Sequence, residues 1–339
     1  ILSETLDNPI IWLIVRLMSE NKFTVKFHGV RGSIPSPLVY EEVEEKVVKA
    51  LQNAKAEDLA DDDSIKSFVQ TLPHEIRGTF GGNSSCVSMQ VGDELLIFDA
   101  GSGIRMLGQE LMATDFGRGQ GKANVFFSHT HWDHILGIPF FVPFYIKGNQ
   151  FTVNSPLPDI QERLEGQQKF EYFPIPFSIY ASDIDFVVLE NKTEQKIGDM
   201  AVTWKAMYHP GQCFAYRVDY KGKSVVYATD AEYKKLGSSD LKPAVEFFQD
   251  ADLLIFDSMY TFSEGLEKED WGHSSTFIGV DLALEANVKQ IAFFHHEPTY
   301  SDFKLMDIFR QTEKYLKLVA PKQELKMFLS YEGLSVDLL

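Results

Sequence analysis

Short apolar runs bounded by turn residues set the rhythm of this chain. Strand-like runs stand at Thr24-Val25-Lys26-Phe27, Cys86–Val91, Leu95–Phe98, Val125–Phe127, Met200–Trp204, Phe214–Asp219, Ser224–Ala228, Leu253–Phe256 and Ile291–Phe294. Gly92-Asp93 and Lys221-Gly222-Lys223 fit hairpin turns between neighbouring runs. Helical periodicity occupies 103–112, 239–248, 274–286 and 302–318. Strands and helices that interleave in this way predict an α/β protein, with two mixed sheets held between helices. Residues 139–180 have neither period. They are rich in aromatics and proline, which predicts an irregular loop. Its rings either pack on the core or form an apolar wall for a substrate ring.

The chemistry concentrates where one of these runs ends. After Val125-Phe126-Phe127 the chain reads Ser-His-Thr-His-Trp-Asp-His, placing His129, His131, Asp133 and His134 within six positions. Imidazoles and a carboxylate at this density, on the loop leaving a buried strand, suit two borderline metal ions. His129 and His131 stand two apart and can point to one side of an extended turn. Asp133 and His134 follow the turn and can serve a neighbouring ion. A solvated loop that is histidine-rich by chance is the blander explanation, but packing accounts poorly for such a cluster. Three further runs close on ligand-type residues: His209 after Ala206-Met207-Tyr208, Asp230 after the run from Val225, and His295-His296 after Ile291–Phe294.

In that order these motifs resemble the metallo-β-lactamase fold, specifically the branch that holds ribonuclease Z and the small phosphodiesterases. Further matches are Phe27-His28-Gly29-Val30-Arg31-Gly32-Ser33-Ile34-Pro35, Gly81-Gly82-Asn83-Ser84-Ser85-Cys86 and Phe98-Asp99-Ala100-Gly101. Trp271-Gly272-His273-Ser274-Ser275 and Tyr331-Glu332-Gly333-Leu334 match near the C-terminus. The resemblance covers about residues 23–339. It implies a four-layer αβ/βα sandwich forming one large domain, although length alone would allow two. Residues 1–22 are expected to form an N-terminal helical segment, by default an ordinary packed helix. A linker from an upstream regulatory region and a homodimer contact are the alternatives.

The resemblance also implies a ligand set. His129, His131 and His209 would hold one divalent ion, and Asp133, His134 and a late histidine the other, with Asp230 bridging. The late ligand is His295, the first residue beyond its strand, with His296 as the alternative. Zinc leads, and manganese or iron would suit the same donors. Water activated between the ions would attack a phosphodiester, and His273 would protonate the leaving oxygen, oriented by Asp257. Asp133 is expected to serve catalysis as well as metal binding. The alternative for His273 is a helix-capping role. Asp99 is expected to orient a ligand histidine rather than bind metal.

Relatives usually carry a short loop between Pro37 and Phe80. Here Val39, Val43, Val47, Leu51 and Ala54 recur at helical spacing, and Ile65, Phe68, Val69 and Leu72 suggest a second helix. This acidic insertion, about 38–79, is expected to present a solvated charged face; a lid or partner-docking arm is the sharper alternative.

Composition narrows the partners. A formal net charge of -17 over 339 residues argues against a broad nucleic-acid surface and leaves room for a small phosphodiester substrate. The two cysteines, Cys86 and Cys213, are expected to be reduced thiols of a cytoplasmic protein. The apolar stretch from Pro9 to Val15 is too short to span a membrane. The leading expectation is a two-metal phosphodiesterase acting on a small or cyclic nucleotide-type substrate. Ribonuclease Z-like RNA processing and a metal-containing sensor or scaffold are the alternatives. By the same resemblance, lactam and thioester hydrolases generally lack the His273–Asp257 pair, and redox members replace the residue at His131 with glutamate.

Overall fold

The structure, a computed structural model, describes residues 22–189, 193–234 and 237–339. The N-terminal helix expected over residues 1–22 therefore lies outside the described residues, apart from its last position.

The first sheet comprises β1 (Phe23–Gly29), β2 (Cys86–Val91), β3 (Glu94–Phe98), β4 (Lys122–Phe126), β5 (Gln150–Ser155), β6 (Asp183–Val188) and the late strand β14 (Ser335–Asp337). The second comprises β7 (Gln195–Ile197), β8 (Met200–Met207), β9 (Cys213–Tyr220), β10 (Lys223–Ala228), β11 (Leu253–Asp257), β12 (Gln290–Phe294) and β13 (Lys326–Leu329). Their orders are β14-β1-β2-β3-β4-β5-β6 and β13-β12-β11-β10-β9-β8-β7. Each sheet is antiparallel at one end and parallel at the other, with the parallel ladders running from β3 to β6 and from β10 to β13.

The period of two within each run sorts side chains between layers. Leu96 and Phe98 point between the sheets, while Leu95 and Ile97 face outward into a separate core. On the second sheet Val225 and Tyr227 point inward, while Val226 and Ala228 pack outward. Ser238–Phe248, Thr276–Glu285 and Asp302–Val319 cover that outer face, and Ile104–Leu111 and Ile160–Gln167 cover the other. Three apolar cores thus hold the four expected layers together.

All the predicted runs become strands; β5, β6, β7, β13 and β14 lie outside them. The stretch 139–180 is not the continuous irregular loop that its composition suggests. It contains β5 and the helix Ile160–Gln167. Its rings divide between buried and exposed positions. Phe141, Phe144 and Phe151 pack in the outer core, while Phe140, Phe170 and Tyr172 are exposed.

The acidic segment forms helices Tyr40–Asn53 and Asp62–Thr71, then a short turn of helix at His74–Arg77. Its apolar stripe does not face the core: Val39, Val43, Val47 and Leu51 are exposed, and Lys46 is the buried residue. The reason is local. Lys46 Nζ lies 2.7 Å from the buried Asp302 carboxylate and donates to the carbonyls of Glu75 and Gly78. Cys86 and Cys213 are buried and unpaired. Among the described residues no helix is long and apolar enough to cross a membrane.

Candidate metal centre

The predicted ligands arrive from several strand exits at one edge of the sandwich. β4 runs into Ser128 and the histidine motif, β8 into His209, β10 into Asp230 and β12 into His295. Asp230 and His295 leave their strands at positive φ (49° and 60°), as does Asp99 after β3 (59°). Such left-handed backbone is uncommon outside glycine, and Asp and His are among the residues that tolerate it best. It turns each chain sharply, so the side chain lies across the sheet end.

Donor atoms of His129, His131 and His209 lie within 4.8 Å of one another, and so do those of Asp133, His134, Asp230 and His295. Asp230 stands between the groups. Its Oδ2 is 3.6 Å from His129 Nε2 and 3.8 Å from His209 Nε2, while its Oδ1 is 3.3 Å from His134 Nε2 and 3.2 Å from His295 Nε2. One oxygen thus faces each group, as a bridging carboxylate requires. His296, the alternative ligand, is directed elsewhere: its Nε2 meets the Ser330 carbonyl at 3.0 Å.

The far sides of the rings are held by protein groups. Asp99 pairs with His134 Nδ1 at 2.8 Å, and accepts hydrogen bonds from the Ser128 backbone N–H, the Ser128 hydroxyl and the Tyr227 hydroxyl. His209 Nδ1 meets the Gly272 carbonyl at 2.8 Å, and the Ser33 N–H donates to Asp133 at 2.7 Å. Two glycines are required by these approaches. A Cβ on Gly32 would lie 2.4 Å from the His295 ring, and one on Gly272 2.2 Å from His209 Nδ1. Tyr227 escapes a reading of the sequence because it looks like any aromatic strand residue. Its role depends on how the two sheets face each other.

The electrostatics fit cations. Burial, and then neighbouring His134, hold His129 well below its ordinary pKa, keeping its nitrogen free to ligate. Burial would lower His134 too, but Asp230, Asp133 and Asp99 outweigh it and hold this imidazole well above its usual range. Burial would raise Asp230, yet His295, His134 and His129 keep it ionised. The buried nitrogens His129 Nε2 and His134 Nε2 have no hydrogen-bond partner. Orphaned imidazole nitrogens facing ionised carboxylates are what a divalent ion would satisfy, so the donor set fits the metal pair that the resemblance implies.

His273 adjoins both groups. Its ring stacks on His295 with centroids 5.0 Å apart, and its Nδ1 pairs with buried Asp257 Oδ2 at 2.9 Å. Burial would lower His273, but Asp257 and, more weakly, Asp230 and Asp133 push it up to about 9.

A family profile described as "Beta-lactamase superfamily domain" matches residues 95–296, which span the whole donor set. The chain belongs to the β-lactamase superfamily. Among its relatives in that superfamily, a ribonuclease Z of Picosynechococcus sp. is 25% identical over 291 residues, covering 70% of this chain and 86% of that protein. The metallo-β-lactamase-fold protein YhfI of Bacillus subtilis superposes with a TM-score of 0.59 at 16% identity, covering 94% of this chain and 99% of that one. Unliganded yeast PDE1 gives 0.58 at 13%, with coverage of 94% and 99%. The chain is thus a metal-dependent hydrolase with the metallo-β-lactamase fold, in the branch that its motifs resemble.

Proposed function

We propose that this protein is a phosphodiesterase with a pair of metal ions, acting on a small or cyclic nucleotide-type substrate. His129, His131 and His209 would hold one ion, and Asp133, His134 and His295 the other, with Asp230 between them. Bound there, two divalent ions supply Lewis acidity toward the phosphoryl oxygens and an activated water as nucleophile. The chain's own residues supply the rest. Asp257 fixes His273 through Nδ1, which leaves Nε2 to carry the second proton. As the phosphorus–oxygen bond to the leaving group breaks, that proton passes to the departing alkoxide. Water adds to phosphorus, and the products are a phosphomonoester and an alcohol, or one ring-opened phosphomonoester from a cyclic substrate. Asp99, Ser128 and Tyr227 would keep His134 oriented, and Gly272 would do the same for His209.

The observation that carries this reading is the His273–Asp257 pair stacked against His295 at the edge of the donor cluster. A buried carboxylate that holds an imidazole protonated suits delivery of a proton to a leaving alkoxide. A second reading, cleavage of RNA, is favoured by the curated relatives named ribonuclease Z. The net charge of -17 favours the small substrate. The test is metal-loaded protein against cyclic nucleotides, linear dinucleotides and a structured transfer RNA. Turnover of the small esters with the RNA left intact supports the first reading. Preferential cleavage of the RNA would replace it with the second. No cleavage of any phosphodiester would discard both and leave the sensor or scaffold alternative.

A further inference from the structure

A cavity of about 200 Å³ opens directly beside His273, on the side where the chain continues into Ser274 and Ser275. One part of its wall is apolar, with Phe262 and Leu266 on the helix Phe262–Glu267 and Ile278 on the helix Thr276–Glu285, while Glu232, Lys234 and Glu269 also line it. Leu266 is 68% exposed and Phe262 41%, so both can take up further contact. Buried polar residues also line the cavity. Ser274 and Ser275 are each only 2% exposed, yet their hydroxyls have no hydrogen-bond partner, and neither does that of Tyr233, which also lines the cavity. Ser275 stands at the cap position of its helix without bonding to the first turn, although serine is among the residues that cap best. A buried hydroxyl left unsatisfied is destabilising. Three lining one cavity beside the candidate proton donor call for a common partner.

We infer that this cavity is the leaving-group subsite, built for a compact, uncharged ring with hydrogen-bonding edges, such as the sugar or base of a nucleoside. The inference rests on the phosphodiesterase reading, because His273 delivers its proton to whatever group departs, and that group must then lie beside it. The volume falls below the about 300–1,000 Å³ of pockets for drug-sized ligands, which suits one ring system. Of the charged residues lining the cavity, Glu232 and Glu269 outnumber Lys234, whose ammonium is already paired with Asp270, so the balance disfavours a second phosphate. The apolar part of the wall takes a ring face, and the serine and tyrosine hydroxyls take its edge.

The test uses uridine and adenosine as probes, titrated calorimetrically into the full chain with and without zinc, with uridine monophosphate as the charged comparison. Leu266→Trp fills the cavity from an exposed position, and Ser274→Ala with Ser275→Ala removes hydroxyls that support nothing else. Each should weaken nucleoside binding by about tenfold, the worth of one or two hydrogen bonds or of a blocked ring, while thermal unfolding shows both variants folded. Nucleoside binding unchanged in both variants, or absent from the native chain, overturns the subsite even where phosphodiester hydrolysis is intact. Nucleoside binding that depends on the cavity in a protein with no phosphodiesterase activity overturns the leaving-group assignment and the functional reading together. Tighter binding of the monophosphate through the same residues would overturn the uncharged class.

Discussion

Asp230 faces both donor groups, one oxygen toward each. Elemental analysis of the purified protein should find two divalent ions per chain, and Asp230→Ala should lose both together. Loss of a single ion would show that the groups are independent. His273→Ala should retain both ions and reduce turnover by about 10²–10⁴-fold, the usual worth of a positioned acid. The defect should shrink for a nitrophenyl ester, whose leaving group departs without a proton. Asp257→Asn should give a smaller defect of the same kind. Equal losses on good and poor leaving groups would assign His273 to binding or structure instead. Tyr227 acts at one remove, through Asp99 on His134. Tyr227→Phe should cost about 1 kcal/mol of stability and weaken one ion more than the other, which a competitive chelator titration can resolve.

At the scale of elements, the site is made by strand ends, and the acidic helices are fastened by the buried Lys46 together with an ion pair from Arg310 to Glu75. Ser128, His209, Asp230 and His295 all follow strands, and turns at positive φ aim Asp230 and His295 inward. The helices between Tyr40 and Arg77 are tied to the fold through Lys46, whose partner Asp302 also lies 3.5 Å from buried Arg31. Lys46→Met should destabilise the protein by about 3 kcal/mol, because it leaves part of a buried charge network unmatched. Limited proteolysis should then cut first between residues 38 and 79. Unchanged stability with unchanged cleavage would show that the segment is held by other contacts.

For the whole molecule, pH acts on stability through a histidine far from the donor set in sequence. Burial lowers His28 from 6.5 to about 4, Glu110 opposing it only in part, while the ring hydrogen-bonds to Ser88. Between those values the unfolded chain binds a proton that the folded chain refuses. Stability from this residue is therefore full above pH 6.5 and falls as pH drops toward 4, by about 3 kcal/mol at most. Urea unfolding of metal-free protein should show a slope to which His28 contributes beside the buried His129 and His296, and His28→Gln should lessen it. An identical slope in the variant would place the acid sensitivity elsewhere.

The sequence by itself carried the sheet-forming runs, because apolar period and turn chemistry are local properties. It also carried the donor residues, because dense histidine and aspartate at strand exits have few other uses. It misjudged the stretch 139–180, where aromatic and proline content masks β5 and the helix Ile160–Gln167. It also could not show that the apolar stripe of Tyr40–Asn53 faces outward, because the charge partner of buried Lys46 is Asp302, 256 residues away. Tertiary structure alone shows where His295 and His296 point, since the two are adjacent and chemically identical. A left-handed turn at His295 sends the first toward Asp230 and the second toward Ser330. It alone also enlisted Tyr227 and set unpaired hydroxyls beside His273, because such roles depend on which sheet and helix faces meet, and chain order does not record that.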